Sequence, residues 1–227
     1  MMKAFMGMAL VACAGSMAMA DVYTDSANDI ADGINNAGGT MDILSAEVTS
    51  DATSITFKIT VNGDTAATDW VKYMVAINSK PGGDTTGNGW GRPIIQSTGM
   101  DIWLGSWIDS GNGIENRQWD GAAWNLTSAS YQANPNVSVI KSGNMVTINA
   151  TLAGLGLAFG DVIRFDIVSS GGGGTDGAID SLANPTFQVF DWGQPSDVGN
   201  LVFTIPSPSA AVLAGLAGLG LAGRRRR

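Results

Sequence analysis

The residue types that carry most side-chain catalysis are nearly missing from this chain. Its 227 residues include no histidine, a single cysteine, Cys13, and two glutamates, Glu47 and Glu115. Ser-His-Asp triads, Cys-His pairs and zinc sites built from histidine and cysteine are therefore excluded. Glu47 falls in a strand-like stretch and Glu115 in a Gly-rich turn, so neither is marked as the acid or base of a glycosidase. We predict that the protein is not an enzyme.

Tryptophans form the first candidate binding surface, because five of the seven fall within residues 90–124. In "DIWLGSWID" (101–109), strand alternation places Trp103 and Trp107 on one face, about 13 Å apart, a spacing that suits stacking on sugar rings. The alternative is that these indoles lie in the core or beneath a loop. The predicted glycan-binding residues are Trp90, Trp103, Trp107, Trp119, Asp101 and Asp109.

A run of acidic residues near the N-terminus is the candidate metal site. The stretch "DVYTDSANDIADG" (21–33) contains Asp21, Asp25, Asp29 and Asp32. Carboxylate oxygens suit a hard cation such as Ca²⁺, which takes six to eight oxygen ligands. The spacing does not match an EF-hand loop, because Ile30 stands where an oxygen ligand is required. Ca²⁺ is therefore the candidate ion at these four aspartates, and a solubilising acidic segment with a turn is the alternative interpretation.

Strands must position these residues, because period-two alternation dominates the middle of the chain. It is clearest in "TSITFKITV" (53–61) and recurs in "MVTINATL" (145–152) and "VIRFDIV" (162–168). The one helix-like stretch, "LAGLGLAF" (152–159), contains two glycines, so at most one turn is expected there. About eight to ten strands predict an all-β fold, a single antiparallel β-sandwich that is jelly-roll-like. The Gly-rich pieces at 80–91 and 169–177 are expected to be long surface loops.

The charge balance indicates which partners the body of the protein can have. Without Lys3 and Arg224–Arg227, seven basic residues stand against 20 acidic ones, a formal charge of about −13. A field of this sign repels nucleic-acid phosphates and anionic membrane surfaces. We therefore expect no nucleic-acid binding, and cations or neutral polymers as partners.

Both ends of the chain differ from its body. Residues 1–20 have a lysine, an apolar stretch and small residues before Asp21, which is typical of a secretory signal peptide cleaved after Ala20. Lipidation at Cys13 is an alternative. The domain is then 21–205, and 206–227 form a separate segment. Residues 210–223 are apolar or glycine, a stretch shorter than the roughly 20 residues that a bilayer-spanning helix needs.

The C-terminal segment resembles a known sorting signal. Pro206 and Pro208, a short Leu/Ala/Gly helix and Arg224, Arg225, Arg226 and Arg227 are together similar to the PEP-CTERM signal of exported bacterial proteins. Ser207 stands where that family usually has glutamate. The resemblance implies an exosortase-type membrane enzyme as a partner, transient membrane insertion through 210–223, and a destination at the cell surface or in the extracellular matrix. A plain membrane anchor is the alternative.

The body itself shows a looser likeness. "MDILSAEVTSDATSITFKITVNGD", "DWVKYMVAIN" and "GAIDSLANP" resemble DOMON-like or family 9-like carbohydrate-binding sandwiches. That resemblance implies a ligand groove on one sheet, in some members with calcium. We therefore predict an exported surface or matrix protein whose body binds glycan, such as extracellular polysaccharide. The alternatives are a purely structural surface protein and, third, a carboxylate-based polysaccharide-active enzyme.

Overall fold

Strands, nearly all of them antiparallel, are the main regular structure of the described chain, which comprises residues 19–186 and 188–206 of a computed structural model. Within these residues the elements, in chain order, are β1 (Met19–Thr24), β2 (Ile43–Ser50), β3 (Ser54–Val61), β4 (Lys72–Asn78), β5 (Ile94–Ile95), β6 (Ile102–Trp107), β7 (Gly113–Trp119), β8 (Trp124–Ala129), β9 (Val137–Ser142), β10 (Met145–Thr151), α1 (Leu152–Leu155), β11 (Val162–Ser170), β12 (Asp180–Ser181), β13 (Ser196–Asp197) and β14 (Leu201–Thr204). The prediction of an all-β fold is confirmed.

Two antiparallel sheets contain nearly all of these strands. The five-stranded sheet has the order β1-β2-β3-β10-β9, and the larger sheet has the order β12-β11-β4-β6-β7-β8, with β14 paired to β11. The strands β5 and β13 form a separate parallel pair. Because β1 pairs only with β2 within the described chain, it is an edge of the smaller sheet.

The core lies between the two sheets, as in a β-sandwich. Alternate residues of β3, from Ile55 to Val61, are fully buried, and so are Ile163, Phe165 and Ile167 of β11. The rings of Phe57 and Phe165 meet across the sheets with centroids 5.6 Å apart. Each of these side chains contributes about 1.5–3 kcal/mol by leaving water. The period-two pattern therefore identified the inner face of these strands correctly.

The only α-helix among the described residues is α1, a single turn, as the sequence predicts. The Thr151 hydroxyl caps its start by accepting a hydrogen bond from the Gly154 N–H at 3.1 Å. Gly156 ends it in the left-handed conformation at φ 70°, which glycine adopts without a Cβ clash. These two residues confine the helix to four residues.

A second, smaller core covers the outer face of the larger sheet. Met74, Trp103 and Val168 of the sheet are buried there against Ile94, Met100, Ala178 and Val198 from the segments before β6 and around β12 and β13. These four covering residues lie outside the predicted surface loops at 80–91 and 169–177, of which Ser169 and Ser170 depart from the prediction by lying buried in β11. The parallel pairing of β5 with β13 joins the two covering segments.

The predicted terminal segments lie almost wholly outside the described residues. The signal peptide at 1–20 overlaps them only at Met19 and Ala20, which begin β1 and pair with Ser50 and Thr49. Pro208, Arg224–Arg227 and the apolar stretch 210–223 fall beyond residue 206. Within 19–186 and 188–206, no helix is both long and apolar enough to cross a bilayer.

Candidate functional sites

The expected two-tryptophan platform is absent, because Trp103 is fully buried. Alternation placed the faces correctly: Ile102 and Leu104 point into the sandwich, and Trp103 points away from it. The segment that precedes β6 folds over this outer face, however, and Trp90 packs edge-on against Trp103 with centroids 6.2 Å apart. Trp103 is thus a residue of the second core, and no sugar can stack on it.

Two glycines in the sheet make room for the neighbouring indoles. A Cβ on Gly105 would overlap the Trp90 ring, and a Cβ on Gly113 would overlap the Trp107 ring. The Trp107 ring therefore packs directly against its cross-strand partner Gly113 and is half-buried. The partial burial of Trp90 and that of Trp107 therefore both depend on these missing side chains.

The other predicted glycan contacts have structural partners. Asp101 is buried and accepts hydrogen bonds from the backbone N–H and the hydroxyl of Ser79, each at 2.6 Å. Asp109 forms an ion pair with Lys72 at 2.9 Å. Trp119 is half-buried and packs on Trp124 with centroids 5.9 Å apart. The prediction that Asp101 contacts a surface ligand is wrong, because its carboxylate is enclosed.

Trp107 instead belongs to a cleft with Tyr131, a residue that the sequence did not indicate. The two ring centroids are 6.4 Å apart with planes inclined by 32°, and Tyr131 is 62% exposed. The cleft has a volume of about 460 Å³ and lies between the β6–β7 turn, the segment after β8 and strand β9. Its remaining lining is polar or small, apart from Val139: Ser110, Gly111, Asn112, Gly113, Ser130 and Ser138.

Glu115 holds this aromatic region together. Its Oε2 accepts hydrogen bonds from Trp90 Nε1 at 2.9 Å and Arg117 Nε at 2.8 Å, and its Oε1 accepts one from the Tyr131 hydroxyl at 2.7 Å. Burial alone would raise the pKa of Glu115, but these three donors together outweigh it and lower the pKa. Glu115 lies in β7, not in a turn as expected, and it is an ionised structural anchor.

Carboxylates meet at a second place, where the two sheets adjoin. Asp25, Asp29 and Asp180 each bring an oxygen to within 4.8 Å of the others. Asp42 adjoins them: its Oδ2 accepts from the Asn28 N–H at 2.8 Å, and the next residue, Ile43, donates its N–H to Asp180 at 2.6 Å. Of the four predicted metal ligands, Asp25 and Asp29 lie in this group, whereas Asp21 and Asp32 are exposed and lie outside it.

These carboxylates are poorly compensated within the described chain. Asp25 Oδ2, both oxygens of Asp29 and Asp42 Oδ1 are shielded from solvent and accept no hydrogen bond there. Burial, and then the neighbouring carboxylates, raises the pKa of Asp180 to about 8 and that of Asp25 to about 7. Burial followed by the charge of Asp42 also raises the pKa of Asp29. The group as it stands favours protons or a cation.

The sequence could not show that Asp42 and Asp180 join this group, because Ile43 and Asp180 are 137 residues apart. A weak signal was present, since each of the two aspartates interrupts an apolar run, "TMDIL" and "GAIDSL". Both residues are fully buried. A buried aspartate without a basic neighbour in sequence needs a partner from elsewhere in the fold.

The chain matches no protein-family model, and no curated protein is significantly similar to it.

Proposed function

We propose that the chain is an exported bacterial surface or matrix protein, sorted through its C-terminal segment, whose body binds extracellular polysaccharide and does not catalyse a reaction. The observation that carries the binding proposal is the cleft of Trp107 and Tyr131. A half-buried indole and an exposed phenol ring present aromatic faces beside serine and asparagine side chains. This combination suits a pyranose ring, whose C–H face packs on aromatics while its hydroxyls form hydrogen bonds.

The charge of the body favours a neutral polymer over an anionic one. Acidic residues outnumber basic ones by about 13 between the proposed terminal signals. A jelly-roll-like sandwich, as the sequence predicts, would present such a cleft on a rigid scaffold. The half-buried Glu115 accepts a hydrogen bond from the Tyr131 hydroxyl, which would limit the ordering cost of binding.

A purely structural surface protein is the second candidate, and the burial of Trp103 favours it. The third candidate, a carboxylate-based enzyme on polysaccharide, has little support. Glu115 is the carboxylate nearest to the cleft aromatics, and its hydrogen bonds from Trp90, Arg117 and Tyr131 occupy both oxygens. An acid catalyst would need a raised pKa, whereas the pKa of Glu115 is lowered by these donors against the effect of burial.

The binding proposal is tested by glycan-array and polysaccharide pull-down measurements on the purified exported protein. Trp107→Ala and Tyr131→Ala should each weaken binding at least about tenfold, by analogy with the roughly 1–3 kcal/mol that stacking of a planar ring on one aromatic side chain contributes. Phe159→Ala is the matched control, because Phe159 is an exposed aromatic (41%) outside the cleft. Absence of binding to every glycan, or unchanged binding by both cleft variants, would favour the structural alternative.

The sorting proposal concerns residues 206–227 and is tested separately. Intact-mass analysis of the protein recovered from the cell surface or medium should show that Arg224–Arg227 are missing. A chain that retains all four arginines at its destination would argue against removal by an exosortase-type enzyme. Recovery of a chain that begins at Asp21 would support export through the signal peptide. Recovery of a chain that carries a lipid on Cys13 would contradict cleavage after Ala20 and support the lipoprotein alternative.

A further inference from the structure

We propose that Asp25, Asp29, Asp42 and Asp180 form a calcium site that ties the N-terminal segment to both sheets of the sandwich. Of these four residues, only Asp25 and Asp29 belong to the metal site that the sequence predicts, which also includes Asp21 and Asp32. The proposal is independent of polysaccharide binding, since the four aspartates lie outside the cleft of Trp107 and Tyr131.

The first argument is uncompensated charge. Three carboxylates lie within 4.8 Å of one another and Asp42 adjoins them. In the described part of the chain, no lysine or arginine forms an ion pair with any of the four. Like charges at this spacing repel strongly where water is excluded, so the ionised carboxylates are stabilised in the folded state by a cation bound at this point.

The second argument is independent of the clustering and comes from Asp42. This residue is fully buried, its Oδ2 accepts hydrogen bonds from the Asn28 N–H and from Asn62 Nδ2, and its Oδ1 accepts none within the described chain. Both oxygens of Asp29 and Asp25 Oδ2 are likewise shielded and unpartnered. A buried acceptor without a donor costs about 1–3 kcal/mol, more if it is charged, and four of them gather here.

Calcium fits this set of ligands better than other common cations. It takes six to eight oxygens, accepts bidentate carboxylates and tolerates irregular geometry, so backbone carbonyls and water can complete the shell. Magnesium requires near-octahedral geometry and keeps most of its water. The familiar zinc sites use histidine and cysteine, and this chain has no histidine and only Cys13.

The position of the site implies a structural role for the ion, because its ligands come from the N-terminal segment and from both sheets. Asp25 and Asp29 follow the edge strand β1, Asp42 precedes β2 of the same sheet, and Asp180 begins β12 of the other sheet. One ion bound to all four would hold the segment 25–42 against the body. Calcium should therefore stabilise the N-terminal edge of the sandwich, and its removal should loosen that edge first.

Isothermal titration calorimetry with CaCl₂ tests the proposal on the purified exported protein after treatment with EDTA. The wild-type protein should bind one ion per chain and melt at a higher temperature with excess calcium. Asp29→Asn removes a charge without removing a hydrogen bond, and should weaken calcium binding at least about tenfold. Asp32→Asn, an exposed neighbour, is the matched control and should bind within about twofold of wild type.

A second variant, Asp42→Asn, and hydrogen exchange test whether calcium binds at this position. Asp42→Asn can still accept from Asn28 and Asn62 through its amide oxygen, so it should fold and lose calcium affinity as Asp29→Asn does. Hydrogen exchange of the wild type should show calcium-dependent protection in 25–42 and around Asp180. Folded wild type without a calcium isotherm, unaffected binding by both variants, or protection confined to other regions would each overturn the proposal.

Discussion

Without divalent cations, the protein should lose stability as the pH rises from about 5 to about 8. Burial and the nearby charges of Asp25 and Asp29 raise the pKa of Asp180 from 3.8 to about 8 in the folded state. Between those two values the folded protein holds a proton that the unfolded chain has released. Stability therefore decreases with rising pH across this window, and the loss is complete once the pH passes the folded pKa.

Asp180 alone sets the scale of the effect, because it is fully buried. One pKa unit corresponds to about 1.4 kcal/mol, so deprotonating Asp180 costs on the order of 4 kcal/mol between pH 5 and 8. The neighbouring carboxylates titrate together with Asp180, and water that enters the group on deprotonation reduces the free-energy cost of the buried charge. We expect a loss of about 3 kcal/mol, which for a domain of this size lowers the melting temperature by roughly 10 °C.

Urea unfolding followed by tryptophan fluorescence provides the assay, at several pH values between about 5 and 8 with EDTA or with excess calcium. The metal-free protein should show the loss, and calcium should remove most of it. Asp29→Asn should have a shallower pH dependence without calcium, because one repelling charge is gone, whereas Asp32→Asn should match wild type. Metal-free stability that is constant or increases over this range would refute the charge-repulsion argument.

Three further substitutions test the aromatic region. Trp103→Ala should destabilise the protein by about 3–5 kcal/mol in urea unfolding, because it empties the second core; a change below about 1 kcal/mol would mean that Trp103 is exposed. Gly113→Ala places a Cβ in the Trp107 ring, so it should cost about 1–3 kcal/mol and raise acrylamide quenching; unchanged quenching would contradict the packing of Trp107 on Gly113. Glu115→Gln should cost about 1–3 kcal/mol and free the Tyr131 ring, seen as altered near-ultraviolet circular dichroism; an unchanged spectrum and stability would contradict the anchoring role.

The alternation of apolar residues was enough to predict the inner strands. In β3, β10 and β11 the inner face consists of valine, isoleucine and phenylalanine apart from Ala150 and Ser169, and in β3 and β10 every buried residue lies on that face. Strand β7 was missed because its inner face carries Asn116 and Gln118, which donate hydrogen bonds to the Gly154 carbonyl of α1. Polar residues that serve a distant helix leave no periodic apolar signal.

The candidate sites were harder to predict, because each depends on contacts between distant parts of the chain. Alternation correctly placed Trp103 on the outer face of its strand, but exposure was decided by a covering segment without a strong periodic signal. Asp25 and Asp29 were identified by their local density, whereas Asp42 and Asp180 join them only through the pairing of the folded sheets. Local sequence therefore shows which residue types are present, whereas the tertiary fold determines which of them meet in one site.

The outer layer over the larger sheet has a consequence for the order of folding. Its short clasp pairs Ile94 with Ser196 and Ile95 with Asp197, residues about 100 positions apart. The layer packs on Met74, Trp103 and Val168, which belong to three different strands, so it has no surface to dock on until those strands are paired. The pairing of β5 with β13 should therefore form after the sheet during folding and open before it during local unfolding. The amides of β5 and β13 should then exchange hydrogen faster than those of β4 and β11.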